Sequence, residues 1–484
     1  MKTITIDPIT RLEGHGKISI FLDDQGEVEN AILQIPELRG FERFCEGRRA
    51  ELLPILTQRI CGVCPVPHHF ASTKALDMAF HADPPLAAKK LRELMMSGYY
   101  VYDHILHFYF LGGPDFVVGP DAPAAQRNVL GVINKVGVEI GKEVIKHRAY
   151  GQRITQIIGG RATHPVCGLP GGISKIMKEE ERQEIERMAK SSVDFAQFTL
   201  KVFSDVVLKN PKYVDLIKSE AYRLNTYYMG TVDEKNRVNF YDGKVRVVDP
   251  AGREYTKFAA EDYLKTISEH VEDWTYVKFT YLKNLGWRGL TEGKDTSLYR
   301  VGPLGRLNAA DGMATPLAQE EYERMYKTLG ERPSHSTLAY HWARLVELLY
   351  AAERTLELSQ DPDIMSKEMR TPVGEPGEGV GITEACRGTL IHHYQLDNEG
   401  LSKKVNLVVA TTNNAGSICM SIKKAAQGLI HKGVVNDGLL NMVEMAFRAY
   451  DPCFSCATHF AYGELPLQIV VYDRDMKVLK EVSR

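Results

Sequence analysis

Two short stretches near opposite ends of the chain decide how it folds. Residues 59–64 read Arg-Ile-Cys-Gly-Val-Cys, and residues 451–456 read Asp-Pro-Cys-Phe-Ser-Cys. In each stretch two thiols stand three residues apart, a spacing at which one turn of chain presents both sulfurs to a metal. Four thiolates suit a soft or borderline metal, namely zinc, an iron–sulfur cluster or nickel. A metal shared by both pairs would tie the two ends of the chain together.

A structural zinc site is the commonest use of paired Cys-x-x-Cys motifs. Zinc modules usually hold their pairs close together in sequence, because the metal substitutes for a core. Here the pairs are separated by most of a chain that is long enough to have its own core. Ionisable residues also cluster beside the pairs: Arg59, His68 and His69 near the first, and His459 after the second. A purely structural metal needs none of them.

The composition is that of an ordinary globular protein. The 484 residues are 44% hydrophobic and 25% charged, with 60 Lys and Arg against 62 Asp and Glu. This balance excludes disorder as the main state. The net charge of -2 provides no cationic field for phosphates, so nucleic acid is not an expected partner.

Apolar runs such as 406–410 and 467–472 are far shorter than the ~18–20 residues that span a bilayer, so we expect no membrane insertion. The N-terminus reaches Pro8, Arg11 and Glu13 before an apolar secretory core can form, and we expect a cytoplasmic protein. Eight cysteines are too few for a disulfide scaffold in a chain of this length,.

The pattern of apolar residues predicts an α+β fold that is predominantly helical, with a core of long helices and small peripheral sheets. Alternation around the Asp-Asp-Gln-Gly sequence at 23–26 predicts a hairpin over 17–35,. The Gly- and Pro-rich stretch 372–381 predicts a loop. Predicted helices span 86–110, 125–158, 179–208, 336–358, 415–428 and 438–450, and further strands lie within 224–258, 405–411 and 465–479.

We expect one domain over residues 1–484. Its predicted parts are an N-terminal sheet with the first cysteine pair (1–82), a helical core (83–223), a β insert (224–258), more helical core with the second cysteine pair (259–459) and a C-terminal tail (460–484).

Five motifs in a fixed order carry a resemblance to a known family. They are Arg11-Leu12-Glu13-Gly14-His15, Arg39-Gly40-Phe41-Glu42, the stretch 59–64, Glu384-Ala385-Cys386-Arg387-Gly388 and the stretch 451–459. With them the sequence resembles the large, catalytic subunit of nickel–iron hydrogenases along nearly its whole length. The resemblance implies that family's fold and its reaction, the reversible heterolytic cleavage of H2 to two protons and two electrons.

The resemblance also implies a metal centre. Cys61, Cys64, Cys453 and Cys456 would hold nickel, with Cys61 and Cys453 terminal and the other two bridging to an iron that carries two cyanides and one carbon monoxide. A metal-bound thiolate such as Cys453 is already deprotonated and lies beside the reacting hydrogen, so it suits the role of proton acceptor.

Three further residues match catalytic positions of that family. Glu13 matches the glutamate that takes the proton from the terminal cysteine, a task that suits a carboxylate whose pKa is raised by burial. Arg387 matches the arginine above the open metal position. Because the pKa of a guanidinium lies above ~12, we assign Arg387 chiefly to electrostatic orientation rather than to base catalysis. Asp115 matches the aspartate that steadies this arginine.

The remaining matches concern metal and cofactor binding. Glu42 and His459, with the backbone carbonyl of Leu407, match the ligands of a second hard cation, magnesium or iron. His68 matches the histidine that hydrogen-bonds a bridging sulfur. Ala410 and Thr411 match the lining of the cyanide pocket.

Two features bear on partners and on the immediate surroundings of the site. The four cysteines outside the pairs, at 45, 167, 386 and 419, lack iron–sulfur spacing,. The two electrons therefore have no route out within this chain, and we expect an iron–sulfur small subunit. Cys386 stands where the family commonly has proline, which places an oxidisable group beside Arg387.

The stretch 36–71 is most similar to cytoplasmic, multimeric hydrogenases, and we favour the type that feeds heterodisulfide reductase complexes. Alternatives are the types coupled to NAD(P) or to the deazaflavin coenzyme F420. From another class, the alternatives are a structural subunit that zinc stabilises and the related subunit of respiratory complex I, which lacks the nickel-ligating cysteines.

The resemblance further implies a maturation protease that removes the tail after His459 once nickel is in place. The alternative is a permanent edge strand, because residues 467–472 alternate as a strand does,.

Overall fold

Long helices form the centre of the molecule. The computed structural model describes residues 2–459, 468–474 and 477–483. Among them, α13 packs against α4 and α8, and α4 also packs against α7. The helices are α1 (Phe41–Cys45), α2 (Leu53–Thr57), α3 (Pro65–Ala79), α4 (Leu86–Leu106), α5 (Pro114–Val117), α6 (Val129–Val136), α7 (Val138–Gly159), α8 (Glu179–Phe203), α9 (Pro211–Lys218), α10 (Tyr263–Thr266), α11 (Gly302–Ala309), α12 (Pro316–Leu329), α13 (Tyr340–Gln360), α14 (Ala410–Leu429), α15 (Asp437–Arg448) and α16 (Phe454–Ala457).

Small sheets surround this helical centre, which confirms the predicted α+β class. Their orders are β1-β2-β3, β11-β6-β7-β8 and β12-β13-β14, with two-stranded ribbons β4-β5, β9-β10 and β15-β16. The strands are β1 (Lys2–Ile6), β2 (Lys17–Leu22), β3 (Val28–Gln34), β4 (Gly168–Leu169), β5 (Gly172–Ile173), β6 (Tyr227–Val232), β7 (Lys244–Val248), β8 (Glu254–Phe258), β9 (Ile267–His270), β10 (Phe279–Leu282), β11 (Tyr299–Arg300), β12 (Glu378–Ala385), β13 (Gly388–Leu396), β14 (Ser402–Val408), β15 (Gln468–Tyr472) and β16 (Val478–Ser483).

Local sequence explains several of these boundaries. The hairpin β2–β3 turns at Gly26, whose φ of 81° favours glycine, as the sequence predicts,. Helix α8 begins with three glutamates, whose negative charges interact favourably with the positive end of the helix dipole,. The single helix predicted over 125–158 is divided into α6 and α7, because Gly137 has a φ of 96° and interrupts the helix between them.

The glycine-rich stretch 372–381 is a loop only in part, and the prediction was wrong for its last four residues. Strand β12 begins at Glu378 and pairs antiparallel with β13. Gly379 and Gly381 let the strand lie directly against helix α3: a Cβ on Gly381 would stand 2.0 Å from the carbonyl oxygen of Ala71. Glycine here therefore permits close packing of backbone on backbone.

The contact between α3 and β12 brings the two halves of the candidate site together. Helix α3 begins immediately after Cys64, and β12 leads into the turn that carries Arg387. One large hydrophobic cluster contains residues from Ile9 to Ala457, and two smaller clusters include Met229 and Leu224. The division of the chain into the five parts given above remains a prediction.

No helix in the described part of the chain is long and apolar enough to cross a membrane. In place of the single strand predicted over 465–479, the described residues of the tail form two strands, which pair as the antiparallel ribbon β15–β16. The predicted cleavage point between residues 459 and 460 borders residues 460–467, which lie outside the described residues.

We predict that Gly381→Val destabilises the protein by at least about 2 kcal/mol, because the backbone of α3 cannot yield space to a side chain. Denaturant unfolding measures the change. The matched control is Lys403→Val on the exposed face of β14, which we expect to unfold like the wild type. Equal stability of both variants would show that α3 and β12 are not tightly packed.

Candidate metal centre

The two cysteine pairs meet through backbone contacts between the ends of the chain. Glu13 forms a parallel β-bridge with Cys453, and the N–H of Phe454 donates to the carbonyl of Glu13 at 3.0 Å. Cys61 follows a 3-10 turn, and Cys64 directly precedes α3, whose first residue is Pro65. Because proline needs no hydrogen-bond acceptor at a helix start, the chain can turn sharply there.

The four thiols converge as the sequence predicts. Their Sγ atoms all lie within 4.8 Å of one another, and each cysteine is buried. Sγ of Cys61 lies 3.4 Å from that of Cys453, and Sγ of Cys64 lies 3.3 Å from that of Cys456. The cluster therefore pairs one cysteine of each motif with its counterpart, in a space that suits a thiolate-bound metal.

The thiols by themselves cannot all ionise in this position. Hydrogen bonding from Cys453 lowers the pKa of the Cys61 thiol well below its ordinary value. Burial raises the pKa values of Cys453 and Cys456 well above theirs. Four neighbouring thiolates are stable only when cations compensate their charge, so the donor set fits soft metal ions.

A carboxylate stands beside this cluster. Oε2 of Glu13 accepts a hydrogen bond from Sγ of Cys453 at 2.7 Å. Glu13 is half-buried, and burial raises the pKa of its carboxyl, with a further upward contribution from the charge of Cys61. A carboxyl group so placed can take a proton from the thiol and pass it on.

Arg387 is buried between two aspartates. Its guanidinium lies 3.3 Å from Oδ1 of Asp103 and 3.0 Å from Oδ2 of Asp451. Burial alone would lower the pKa of Arg387, but the charges of Asp103 and Asp451 outweigh this and raise the pKa well above its ordinary value. The guanidinium therefore remains charged and is fixed on both sides.

The expected pairing of Asp115 with Arg387 is corrected by these contacts. Asp115 instead pairs with Arg11 and, at 2.8 Å, with Arg448. Burial would raise the pKa of Asp115, but the two arginines lower it. Because Arg11 belongs to the same short motif as Glu13, Asp115 anchors the segment that carries Glu13 rather than the arginine.

Asp103 and Asp451 were not expected from the sequence as partners of the arginine. Asp103 lies in α4 among buried apolar residues. A buried carboxylate needs a charged or hydrogen-bonded partner, so an aspartate within an apolar helix is the sequence feature that could have identified it. A π-helical turn over 107–112 separates Asp115 from Asp103. The two aspartates therefore contact different arginines. Asp451 begins the second cysteine motif, and the spacing of that motif carries no signal for its role.

A second group of ligand atoms lies at Glu42. Oε1 of Glu42 accepts from the backbone N–H of Leu407 at 2.7 Å, while the buried Oε2 has no hydrogen-bond partner among the described residues. Nε2 of His459 lies 2.6 Å from the carbonyl oxygen of Leu407, and Nδ1 lies 2.7 Å from that of Cys456. A neutral imidazole can donate to only one of these carbonyls. The spare carboxylate oxygen, the carbonyl and the ring nitrogen thus fit a hard or borderline cation.

Other predicted residues take the following places. Nδ1 of His68 faces Nε2 of His392 at 3.0 Å and is not directed at a sulfur; the sulfur contact stays a prediction for its other nitrogen. Thr411 accepts from the N–H of Cys453 at 3.0 Å through its hydroxyl oxygen, which leaves the hydroxyl free to donate. Ala410 is the first residue of α14, where unpaired N–H groups suit an anionic ligand.

Converging buried thiols, a neighbouring carboxyl group and a fixed arginine, held on a helical α+β fold, define a thiolate-metal oxidoreductase. A family model described as nickel-dependent hydrogenase matches residues 39–130 and 142–459. A model described as HoxL-like matches residues 3–38. The chain belongs to the nickel-dependent hydrogenase family, as its catalytic large subunit, and the family implies a nickel–iron centre.

Several curated relatives are similar over their whole length. An iron-sulfur subunit of the F420-non-reducing hydrogenase of Archaeoglobus profundus is 51% identical over 100% of this chain and 99% of its own. A subunit of the F420-non-reducing hydrogenase of Methanothermobacter thermautotrophicus is 41% identical over all of both chains. The NAD-reducing hydrogenase HoxS subunit beta of Cupriavidus necator is 37% identical over the same extent.

Solved structures agree with this assignment. A NAD+-reducing [NiFe]-hydrogenase in the H2-reduced state is 36% identical, with a TM-score of 0.89 over 95% of this chain and 100% of its own. The reduced Ni-Fe-Se hydrogenase of D. vulgaris Hildenborough is 26% identical, with a TM-score of 0.75 over the same shares.

We predict that Cys456→Ala abolishes nickel retention and hydrogenase activity, because loss of one thiolate changes the charge and coordination of the centre. Elemental analysis of the purified protein measures nickel. The matched control is Cys419→Ala, another buried cysteine that stands alone on α14; it keeps its nickel. Stoichiometric nickel in Cys456→Ala would contradict the ligand assignment.

Proposed function

We propose that this chain cleaves H2 reversibly into two protons and two electrons, with Cys453 and Glu13 as the first two proton carriers. The observation that carries the proposal is the 2.7 Å contact between the Cys453 sulfur and Glu13, at the edge of four converging thiols.

In this proposal Cys61, Cys64, Cys453 and Cys456 would hold a nickel–iron centre whose iron carries two cyanides and one carbon monoxide. When bound, the metals would supply Lewis-acid chemistry for the splitting of H2. The N-terminus of α14, with Ala410 and Thr411, offers N–H and hydroxyl donors to a cyanide. His68 would orient a bridging sulfur through the nitrogen that His392 does not occupy.

Cys453 is better placed than Arg387 to receive the proton. Its sulfur already contacts Glu13, so the proton moves on within a hydrogen bond. Arg387 would first need a much lower pKa, whereas Asp103 and Asp451 raise it. The fixed positive charge of Arg387 therefore orients and stabilises the reacting groups electrostatically.

We further propose magnesium, or iron, at Glu42, Leu407 and His459. The support is the buried carboxylate oxygen without a partner and the imidazole that faces two carbonyls. A cation there would join the end of β14 to the segment after Cys456 and so stabilise the second cysteine pair.

Electrons would leave through an iron–sulfur small subunit of a cytoplasmic multi-subunit complex. The four cysteines outside the pairs support this, because each is buried and far apart in sequence from the others. We propose heterodisulfide reductase as the further acceptor. Relatives named F420-non-reducing are more similar to this chain than the NAD-reducing subunit, which favours an acceptor other than F420 or NAD(P).

Metal content and electron-acceptor specificity test these proposals. The purified complex is expected to contain nickel and iron, to reduce a viologen dye with H2, and to reduce neither F420 nor NAD(P). Zinc alone, without H2-dependent dye reduction, would contradict the hydrogenase. Rapid H2-dependent NAD(P) reduction would contradict only the acceptor.

We predict that Glu13→Gln keeps nickel and iron but slows hydrogen exchange with solvent by roughly a hundredfold or more. The amide can accept the hydrogen bond of Cys453 but cannot relay a proton. The measurement compares H2–D2O exchange with parahydrogen conversion, which needs no proton release to solvent. Unchanged exchange would show that Glu13 is not part of the proton path to solvent.

We also propose that a maturation protease cuts between residues 459 and 460 after metal insertion. Cys453 and Cys456 lie close before this point, so a cut there would free the chain end beside the second cysteine pair. Intact-mass measurement of active enzyme is expected to show loss of residues 460–484. Full-length mass with bound nickel and full turnover would show that the tail is retained.

A further inference from the structure

A series of polar side chains leads from Glu13 to the protein surface. The Ser455 side chain lies against Gly14, next to Glu13, where its hydrogen bonding lowers the pKa of the Glu13 carboxyl, and its hydroxyl donates to Oε2 of Glu37 at 2.9 Å. The other carboxylate oxygen of Glu37 contacts Nδ1 of His15. The series thus leads from Glu13 by way of Ser455 and Glu37 to His15.

Exposure is greatest at the outer end of the series, although Ser455 itself is buried. Cys453 is buried and Glu13 half-buried, the Glu37 side chain is 22% exposed, and the His15 side chain is 74% exposed. His15 lines a surface cavity of about 670 Å³ together with Asp7, Lys17 and Asp273. The series therefore begins at the thiol and ends in water.

The backbone around Glu13 is shaped to allow these contacts. Gly14 has a φ of 86°, and a Cβ on it would stand 2.7 Å from the backbone nitrogen of Ser455 and 2.9 Å from its hydroxyl oxygen. Glycine thus lets Ser455 lie against the turn between Glu13 and His15. Glu13 and His15, the first and last members of the series, stand on either side of Gly14 in the sequence.

We propose that Ser455, Glu37 and His15 form the proton exit of this chain; the proposal rests on the proposed hydrogenase reaction. The Glu13 carboxyl gives its proton to the oxygen of Ser455 as the hydroxyl proton of Ser455 passes to Glu37. Glu37 then protonates Nδ1 of His15, and Nε2 of the imidazolium releases a proton to water. Each proton transfer breaks one bond to hydrogen and forms another, and no group is oxidised or reduced. Exchange with water returns the exposed ring to its starting tautomer.

A second series of buried polar groups near the site ends inside the protein. Nε2 of His392 faces His68, Nδ1 of His392 contacts the hydroxyl of Tyr394 at 2.7 Å, and that hydroxyl donates to Ser72 at 2.8 Å. These four residues are at most 1% exposed. Burial also lowers the pKa of His68 to about 3, so its ring stays neutral. This series cannot deliver protons to solvent.

The test uses the nickel-loaded complex with Glu37→Gln and compares two rates. Parahydrogen conversion, which reports splitting of H2 at the site, stays within about twofold of wild type. H2–D2O exchange, which needs a path to solvent, falls roughly tenfold or more. Unchanged exchange would overturn the proposal, and so would equal loss of both rates, because Glu37 would then act in the splitting itself.

His15→Ala provides the second variant, and it decides the matter if Glu37→Gln takes up no nickel. Exchange falls and added imidazole restores part of it, because a free carrier can replace the exposed ring. Normal exchange without imidazole would overturn the proposal. A wild-type complex without either rate would instead contradict the proposed function.

Two checks separate the relay from general surface electrostatics. Glu27, in the turn of the β2–β3 hairpin, and His431, just after α14, form a similar exposed carboxylate–imidazole pair at 2.8 Å, and Glu27→Gln leaves both rates unchanged. A readout independent of turnover is the NMR titration of His15 in the chain. Hydrogen bonding to Glu37 raises its pKa, with a smaller contribution from the charge of Glu13. Glu37→Gln lowers that pKa, and an identical titration would show that the two side chains are not in contact.

Discussion

The convergence of four buried thiols from the two ends of the chain is the constraint on which the rest of the structure depends. Each pair contributes through a different element: the first stands before α3, and the second has Cys453 just before α16 and Cys456 within it. Their sulfurs can meet only if both ends pack on the same side of the helical centre. The β-bridge between Glu13 and Cys453 fixes the Glu13 carboxyl group in the same step.

Charge pairing in the low-dielectric interior explains how the surroundings of the cluster are held. Arg387 lies between Asp103 and Asp451, and Asp115 lies between Arg11 and Arg448. A buried charge without a partner is costly, so each of these groups can occupy only the place where its partners are. The first set fixes a positive charge near the thiols, and the second anchors the segment of Glu13.

Function divides along the same lines. In the proposed reaction, protons follow a polar path from Glu13 that ends at the exposed His15, while His68 in α3 stays buried and neutral. Electrons have no comparable carrier among the described residues, since the four cysteines outside the metal cluster are buried singly. Proton and electron transfer would therefore separate at the proposed metal centre, which is consistent with a catalytic chain that works with an electron-carrying partner.

Cys-x-x-Cys spacing, a local feature of the sequence, predicts that the four thiols come together, and the structure confirms this; the roles of Glu13 and Arg387, which the short ordered motifs imply, stay predictions. Helical periodicity predicts the long helices, and alternation of apolar and polar residues predicts the β2–β3 hairpin. The folded structure was needed to show which acid pairs with which arginine, that β12 continues through Gly379 and Gly381, and that Ser455 and Glu37 lie between Glu13 and His15. These features depend on contacts between residues far apart in the chain, and periodicity and spacing carry no information about such contacts.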